Sequence, residues 1–222
     1  MSQTMGPRAF LSVIALGAAL SLAGCADRRV GSGVEASETL EFGSFSVISL
    51  SGEANVVVTI GDPQSVIVRA DDNLLADVVT EVVDDTLEIS EPSLVDLEPR
   101  AGMTVEITVP QLQEVEVSGS GDLSVASLQG KLFRVEVSGA GTVEASGEVE
   151  RVEAEVSGAG DVQLAELVAR EASAEVSGAG DIHVHATESL SAEVSGAGDI
   201  VYSGDPADVE TDVSGAGDIQ PG

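Results

Sequence analysis

Ser118-Gly119-Ser120-Gly121, Ser138-Gly139-Ala140-Gly141, Ser157-Gly158-Ala159-Gly160, Ser177-Gly178-Ala179-Gly180, Ser195-Gly196-Ala197-Gly198 and Ser214-Gly215-Ala216-Gly217 are six copies of one phrase. The steps from serine to serine are 20, 19, 20, 18 and 19 residues. A period near 20 with short apolar alternation predicts a solenoid, and specifically a parallel β-helix. Aligned on the serine, the residue before it is always valine: Val117, Val137, Val156, Val176, Val194 and Val213. Three places before it stand Val115, Val135, Ala154, Ala174, Ala192 and Thr211. Five places before it, from the second copy on, stand Phe133, Val152, Ala172, Leu190 and Val209. Positions two apart share one face of a strand, so these columns point inward. A second strand follows each phrase, with Leu123, Val143, Val162, Ile182, Ile200 and Ile219 as its first inward column. Val125, Ala145, Leu164, Val184, Tyr202 and Pro221 form the next.

The phrase is then the corner between two strands. Its glycines supply either positive φ or a bend too tight for a Cβ. Stacked corners predict a ladder of serine hydroxyls and leave room for Ala or Ser between the glycines. All length variation falls between the second strand and the next first strand, which predicts a variable loop there. A phosphate-cradling reading of the glycines fails, because a strand rather than a helix follows each copy and Lys131 is the only lysine.

Upstream, Phe45 to Val109 alternates without an evident repeat. Ala54–Ile60 and Met103–Val109 have period two, and Gly61-Asp62-Pro63 marks a turn. Asp72-Asn73 is placed to cap a short helical turn through Leu74-Leu75-Ala76. The ordered set Phe45-x-x-Ile48-x-Leu50-x-Gly52, Asp71-Asp72-Asn73-Leu74-Leu75, Leu87-Glu88-Ile89, Val109-Pro110-x-Leu112 and Val117-Ser118-Gly119-Ser120-Gly121-Asp122 resembles the head-GIN-domain family of auto-transporter adhesins. The resemblance covers roughly residues 42 to 219. It implies an all-β fold: a single-stranded right-handed parallel β-helix, here with about 19–20 residues per repeat, on exported or lipid-anchored proteins. It also implies an adhesive role and brings no catalytic residues.

The N-terminus reads as a signal peptide, residues 1–24. Arg8 precedes an uncharged stretch from Ala9 to Gly24, too short for a typical span. Leu22-Ala23-Gly24-Cys25 resembles the lipobox of bacterial lipoproteins, in which the cysteine is lipidated. Cys25 is the sole cysteine and so cannot form an internal disulfide. Acyl chains there would hold the protein on a membrane rather than across it. Ala26 in place of aspartate points to the outer membrane were the source Gram-negative. Small polar residues from 25 to 41 suggest a flexible tether, leaving 42–222 as the β-helix domain: strands over 45–109, then six repeats over 115–219.

The chain has 39 acidic and 9 basic residues, a formal net charge of −30. That excludes nucleic acid and anionic lipid as natural partners. Four Phe, one Tyr and no Trp suit a thin interior filled by stacked aliphatic columns rather than a thick core. Two acidic columns are expected to face outward. One is Glu116, Glu136, Glu155, Glu175, Glu193 and Asp212. The other is Asp122, Asp161, Asp181, Asp199 and Asp218, broken by Thr142. At a rung spacing of about 4.8 Å, like charges repel by about 1 kcal/mol per pair in water. Solvent screening, Asx turns on the corner backbone or bound Ca²⁺ would offset this. Asp181, His183 and His185 alternate and offer three ligands for a transition metal, against the plainer reading of a solvated strand. No other cofactor is indicated.

Three functions follow. The first is a non-enzymatic, lipid-anchored envelope protein that adheres to an unknown protein or glycan through its faces. The second is a polysaccharide-active enzyme on a pectin-lyase-like helix, although Lys131, Arg134, Arg151 and Arg170 form no basic column and nothing marks a nucleophile elbow. The third is a cation-binding envelope stability protein.

Overall fold

A computed structural model describes residues 27–92 and 95–222. The expected signal peptide and Cys25 lie outside the described residues. The strands are β1 (Asp27–Val30), β2 (Glu35–Leu40), β3 (Val47–Leu50), β4 (Asn55–Ile60), β5 (Ser65–Asp71), β6 (Val79–Val83), β7 (Thr86–Ser90), β8 (Val95–Glu98), β9 (Thr104–Val109) and β10 (Glu114–Val117). They continue with β11 (Leu123–Val137), β12 (Val143–Val156), β13 (Val162–Val176), β14 (Ile182–Val194), β15 (Ile200–Ser203), β16 (Asp208–Val213) and β17 (Ile219–Pro221). A 3-10 turn spans Leu75–Asp77.

From β10 onward, neighbouring strands are parallel and in the register expected of the repeats. Val117 pairs with Val137, Val137 with Val156, Val156 with Val176 and Val176 with Val194. These valines, and Leu123, Val143, Val162, Ile182 and Ile200, are 0–1% exposed. The fold is a β-solenoid, as the period predicts. The interior narrows to single aliphatic layers, with Phe133 as its largest fully buried side chain.

The variable loop is absent. β11 to β14 run unbroken from one corner to the next, and β-bulges absorb the length differences. Register shifts fall between Val125 and Leu128, Glu144 and Ser146, and Leu164 and Val168. A bulge adds a residue while keeping the flanking ladder bonds, and it bends the strand, so it serves as the second corner of each turn. Leu128, Val149 and Leu167 point inward there. Ser127 and Gly147 adopt positive φ, 62° and 139°, at these bends.

The repeat also extends further upstream than its sequence shows. β3 pairs with β10, and β4 pairs with β11, so β3–β4 is another rung. Its corner is Ser51-Gly52-Glu53-Ala54, and Gly52 O accepts Ser120 N and Gly121 N at 3.1 and 3.0 Å. β7 and β9 stack outside it as a further rung, so the chain does not wind in strict order at this end. Antiparallel strands then close it: β6 on β7, β5 on β9 and β2 on β5.

Residues 27–40, expected to be part of a flexible tether, are instead β1 and β2, paired with β8 and β5. Glu-Ala-Ser-Glu-Thr-Leu lacks a full apolar face because β2 lies on the surface, held by backbone pairing to β5 and by Leu40 packing against the core. The loop between β1 and β2 is clasped by Asp71-Asp72-Asn73. The Asp71 carboxylate, fully buried, accepts N–H bonds from Gly33, from Arg100 at 2.8 Å and from Ala101 at 3.0 Å. Asn73 Oδ1 accepts Ser32 N at 2.8 Å, and its Nδ2 donates to Val30 O at 3.0 Å. Ser32 Oγ donates to Asp72. The expected helical turn is present, but no side chain caps it, because these polar groups serve the clasp instead.

Candidate functional site

The corner stack comes first because it sets the spacing of every surface column. Ala140 N donates to Gly119 O, Ala159 N to Gly139 O, Ala179 N to Gly158 O and Ala197 N to Gly178 O, all at 2.8–2.9 Å. The corner glycines do not have positive φ. They are required because the rungs lie so close: a Cβ on Gly178 would fall onto Gly158 O and within 2.7 Å of the Ser157 carbonyl carbon. The corner serines and alanines are exposed, and among the described residues no hydrogen bond joins one corner serine hydroxyl to the next. At the β3–β4 corner the ladder meets Glu91. Its Oε1 accepts Glu53 N and Ala54 N at 3.0 and 3.1 Å. Burial raises the Glu91 pKa, opposed by these two bonds.

The aspartate column does not form local Asx turns along its length. Each carboxylate accepts the backbone N–H at the same place one rung on. Asp122 takes Thr142 N at 2.9 Å, Asp161 takes Asp181 N at 2.9 Å, Asp181 takes Asp199 N at 2.7 Å and Asp199 takes Asp218 N at 2.7 Å. Only Asp218 turns onto its own neighbour, Ile219 N, at 3.0 Å. Thr142 is the break the sequence shows, and Asp161 N receives no side-chain acceptor from it. Charge-assisted bonds of this kind offset the repulsion along the column. Asp181→Ala is expected to cost about 1–2 kcal/mol in urea denaturation, and Asp181→Asn, which keeps an acceptor, about half as much.

These bonds bear on the cation reading. One oxygen of each column aspartate is committed to a backbone N–H. No cluster of three His, Cys, Asp or Glu side chains able to hold a metal ion exists among the described residues. Asp181, His183 and His185 likewise do not converge. Asp181 is bonded to Asp199 N, and His185 Nδ1 lies 3.1 Å from Ser203 Oγ, partly buried beside the β15 strand. They are positions on a half-exposed strand.

The glutamate column is longer than the sequence shows. Glu116 pairs with Ser49, Ser49 with Glu88 and Glu88 with Glu81, so the column runs from β6 to Asp212 with Ser49 as its one neutral member. The arginines share no single column, as expected, but they share one role. Each reaches a glutamate one rung on: Arg134 Nε to Glu153 at 2.7 Å, Arg151 Nε to Glu171 at 2.9 Å and Arg170 Nε to Glu188 at 2.8 Å. The hydrogen-bonded glutamate raises each arginine pKa. Arg69 and Glu106 form a matching two-bond pair at the capped end, which lowers the Glu106 pKa. Counted back from the corner serines, each arginine and its glutamate stand at the same place, four, six and seven residues before, so the sequence carries the signal for these pairs even though the arginines make no column of their own.

Several open concavities lie on the faces, among them two of about 500 Å³ or more. One, of about 500 Å³, is floored by Val57, Ala126 and Ala165 and edged by Glu144, Gln163 and Glu166. The other, of about 730 Å³, lies between the corner stack and the segment holding Glu91, Pro92 and Leu97. Neither brings together a nucleophile, a base and an oriented acid.

Stacked parallel rungs with a Gly-rich corner, an aliphatic interior and a capped N-terminal end define a β-solenoid. The chain belongs to the family described as "Putative auto-transporter adhesin, head GIN domain", whose profile matches residues 44–206. Among solved structures, it is similar to a "putative adhesin" of Bacteroides fragilis, with a TM-score of 0.74, 24% identity and coverage of 87% of this chain and 99% of that one. It is similar to a "Putative lipid binding protein" of Parabacteroides distasonis, with a TM-score of 0.61, 21% identity and coverage of 88% and 100%. A "putative adhesin" of Parabacteroides distasonis matches with a TM-score of 0.54, 23% identity and the same coverage of 88% and 100%. These likenesses establish the fold. No curated protein sequence matches the chain significantly.

Proposed function

We propose that this protein is a non-enzymatic adhesin of the cell envelope, held on a membrane by lipid at Cys25, that engages a protein or glycan partner through a solenoid face. The observation that carries this reading is the unbroken glutamate and Arg–Glu face over β10 to β16, regular from rung to rung. A repeated surface without a deep pocket suits multivalent contact better than turnover of one small substrate. Family membership supports the adhesive role. No helix among the described residues is long and apolar enough to cross a membrane. In a Gram-negative source, Ala26 favours the outer membrane.

Two measurements test this. In cell fractionation, Cys25→Ala should move the protein from the membrane fraction to the soluble one, because the acyl chains supply the membrane affinity. Retention in the membrane would refute lipid anchoring. In a surface-attachment assay, Glu136→Gln, Glu155→Gln and Glu175→Gln together should reduce attachment by about tenfold, as expected for a contact sharing charge over several rungs. Unchanged attachment would refute use of this face.

A further inference from the structure

β6 is an edge strand that nothing among the described residues covers. It pairs with β7 on one side only and ends its sheet. Its sequence, Val-Thr-Glu-Val-Val, carries no proline and no lysine, the usual devices that block strand addition. Val79 and Val83 are each 45% exposed, and Glu81 is exposed between them on the same face. The hairpin is held firmly: Ser46 N donates to Asp85 O at 3.1 Å, and Ser46 Oγ donates to the Asp85 carboxylate. This edge therefore combines ordered backbone, two apolar side chains and one carboxylate.

What would pair with it is set by charge. Glu81 is the terminal member of the long glutamate column. A second copy pairing β6 to β6 would add acidic side chains to this column and join two chains of formal charge −30 each. The protein itself shows how an acidic rung accepts a neighbour: Arg134, Arg151 and Arg170 each place a guanidinium against the next rung's glutamate. We propose that β6 is a strand-addition site for an extended basic segment of another protein. That segment would set apolar residues opposite Val79 and Val83 and a lysine or arginine opposite Glu81. Main-chain bonds supply the affinity and the alternate side chains the selectivity. This site is separate from the adhesive face, and an adhesin acting through β10 to β16 keeps its attachment when β6 is blocked.

The test uses the full chain and two labelled peptides, Thr-Val-Thr-Lys-Thr-Val-Thr and the same peptide with Glu for Lys, in fluorescence anisotropy at physiological salt. The expected result is binding of the Lys peptide at least about tenfold tighter than the Glu peptide, a preference that Glu81→Lys reverses. Glu81 is exposed, so the variant should melt as the parent does. Hydrogen exchange should show amide protection over Val79–Val83 on binding. Four outcomes would overturn the proposal: no binding, equal binding of both peptides, Lys-peptide binding without protection at β6, or sedimentation showing a β6-dependent dimer of the free chain.

Discussion

Gly178→Ala is expected to leave little folded protein. The added methyl would land on Gly158 O, a backbone atom fixed by its own bond from Ala179 N at 2.8 Å. No rotamer can relieve this, because a Cβ has none. Relief requires pushing two rungs apart, which breaks the corner bond and opens the valine columns Val156 and Val176 at the same place. Such coupled losses amount to roughly 4 kcal/mol or more, the range of severe core disruption. The matched control is Ala179→Ser, one residue on and exposed, which should change stability by less than about 0.5 kcal/mol. Thermal melts of the two variants distinguish the explanations of the repeat. If glycine served only backbone flexibility, Gly178→Ala would be mild, since the residue does not need positive φ.

Asp71→Asn is the second large effect, and it carries a pH signature. The N–H of Ala101 is the main cause of the lowered Asp71 pKa, burial opposes it, and the N–H groups of Gly33 and Arg100 add to the lowering. A carboxylate held below its ordinary 3.8 stabilises the fold fully above that value and loses the contribution as pH falls through the folded value. Asparagine keeps the shape but presents an N–H₂ where one of the accepting oxygens was. At pH 7 the variant should melt about 5–10 °C lower, as expected for a buried network broken in a domain of this size. The gap should close as pH drops below the ordinary carboxylate range. A gap independent of pH would show that shape, and not charge, matters at this position. Hydrogen exchange should locate the loss in β1 and β2, which the clasp holds, while β11 to β14 stay protected.

How much of this was legible in the sequence depends on the kind of interaction. The inward columns were legible because period two and period 20 together leave one arrangement, and Val137, Val156 and Val176 sit where that reading puts them. The corner was legible as a corner, but its reason was not: close stacking of Gly158 under Gly178 is a distance between rungs that no local pattern records. The rung at β3–β4 was hidden because Ser51-Gly52-Glu53-Ala54 keeps only the first glycine. Gly52 still meets Gly119 through its carbonyl, and Glu91 replaces the missing neighbour on the other side. β1 and β2 read as tether because their partners, β8 and β5, lie 26 or more residues away and their side chains are mostly polar. The arginine pairs are legible too, since each arginine and its glutamate stand at the same place before successive corner serines, but a search for a column of arginines alone passes over them. Within the alternating set Asp181, His183 and His185, the structure adds what spacing does not show: Asp181 joins a hydrogen-bond ladder and His185 contacts Ser203.

The Asp71 clasp also fixes where mechanical load would enter the domain. A chain pulled from the side of residue 27 transmits tension first to β1 and to the loop at Gly31–Gly33, not to the stack of rungs. That loop is tied to Asp71 and Asn73, and Asp71 is in turn tied to Arg100 and Ala101, just before β9. Force is thus spread onto two strands of the capped end together, and a solenoid that would otherwise unzip rung by rung meets its most cross-linked point at the start of the pull.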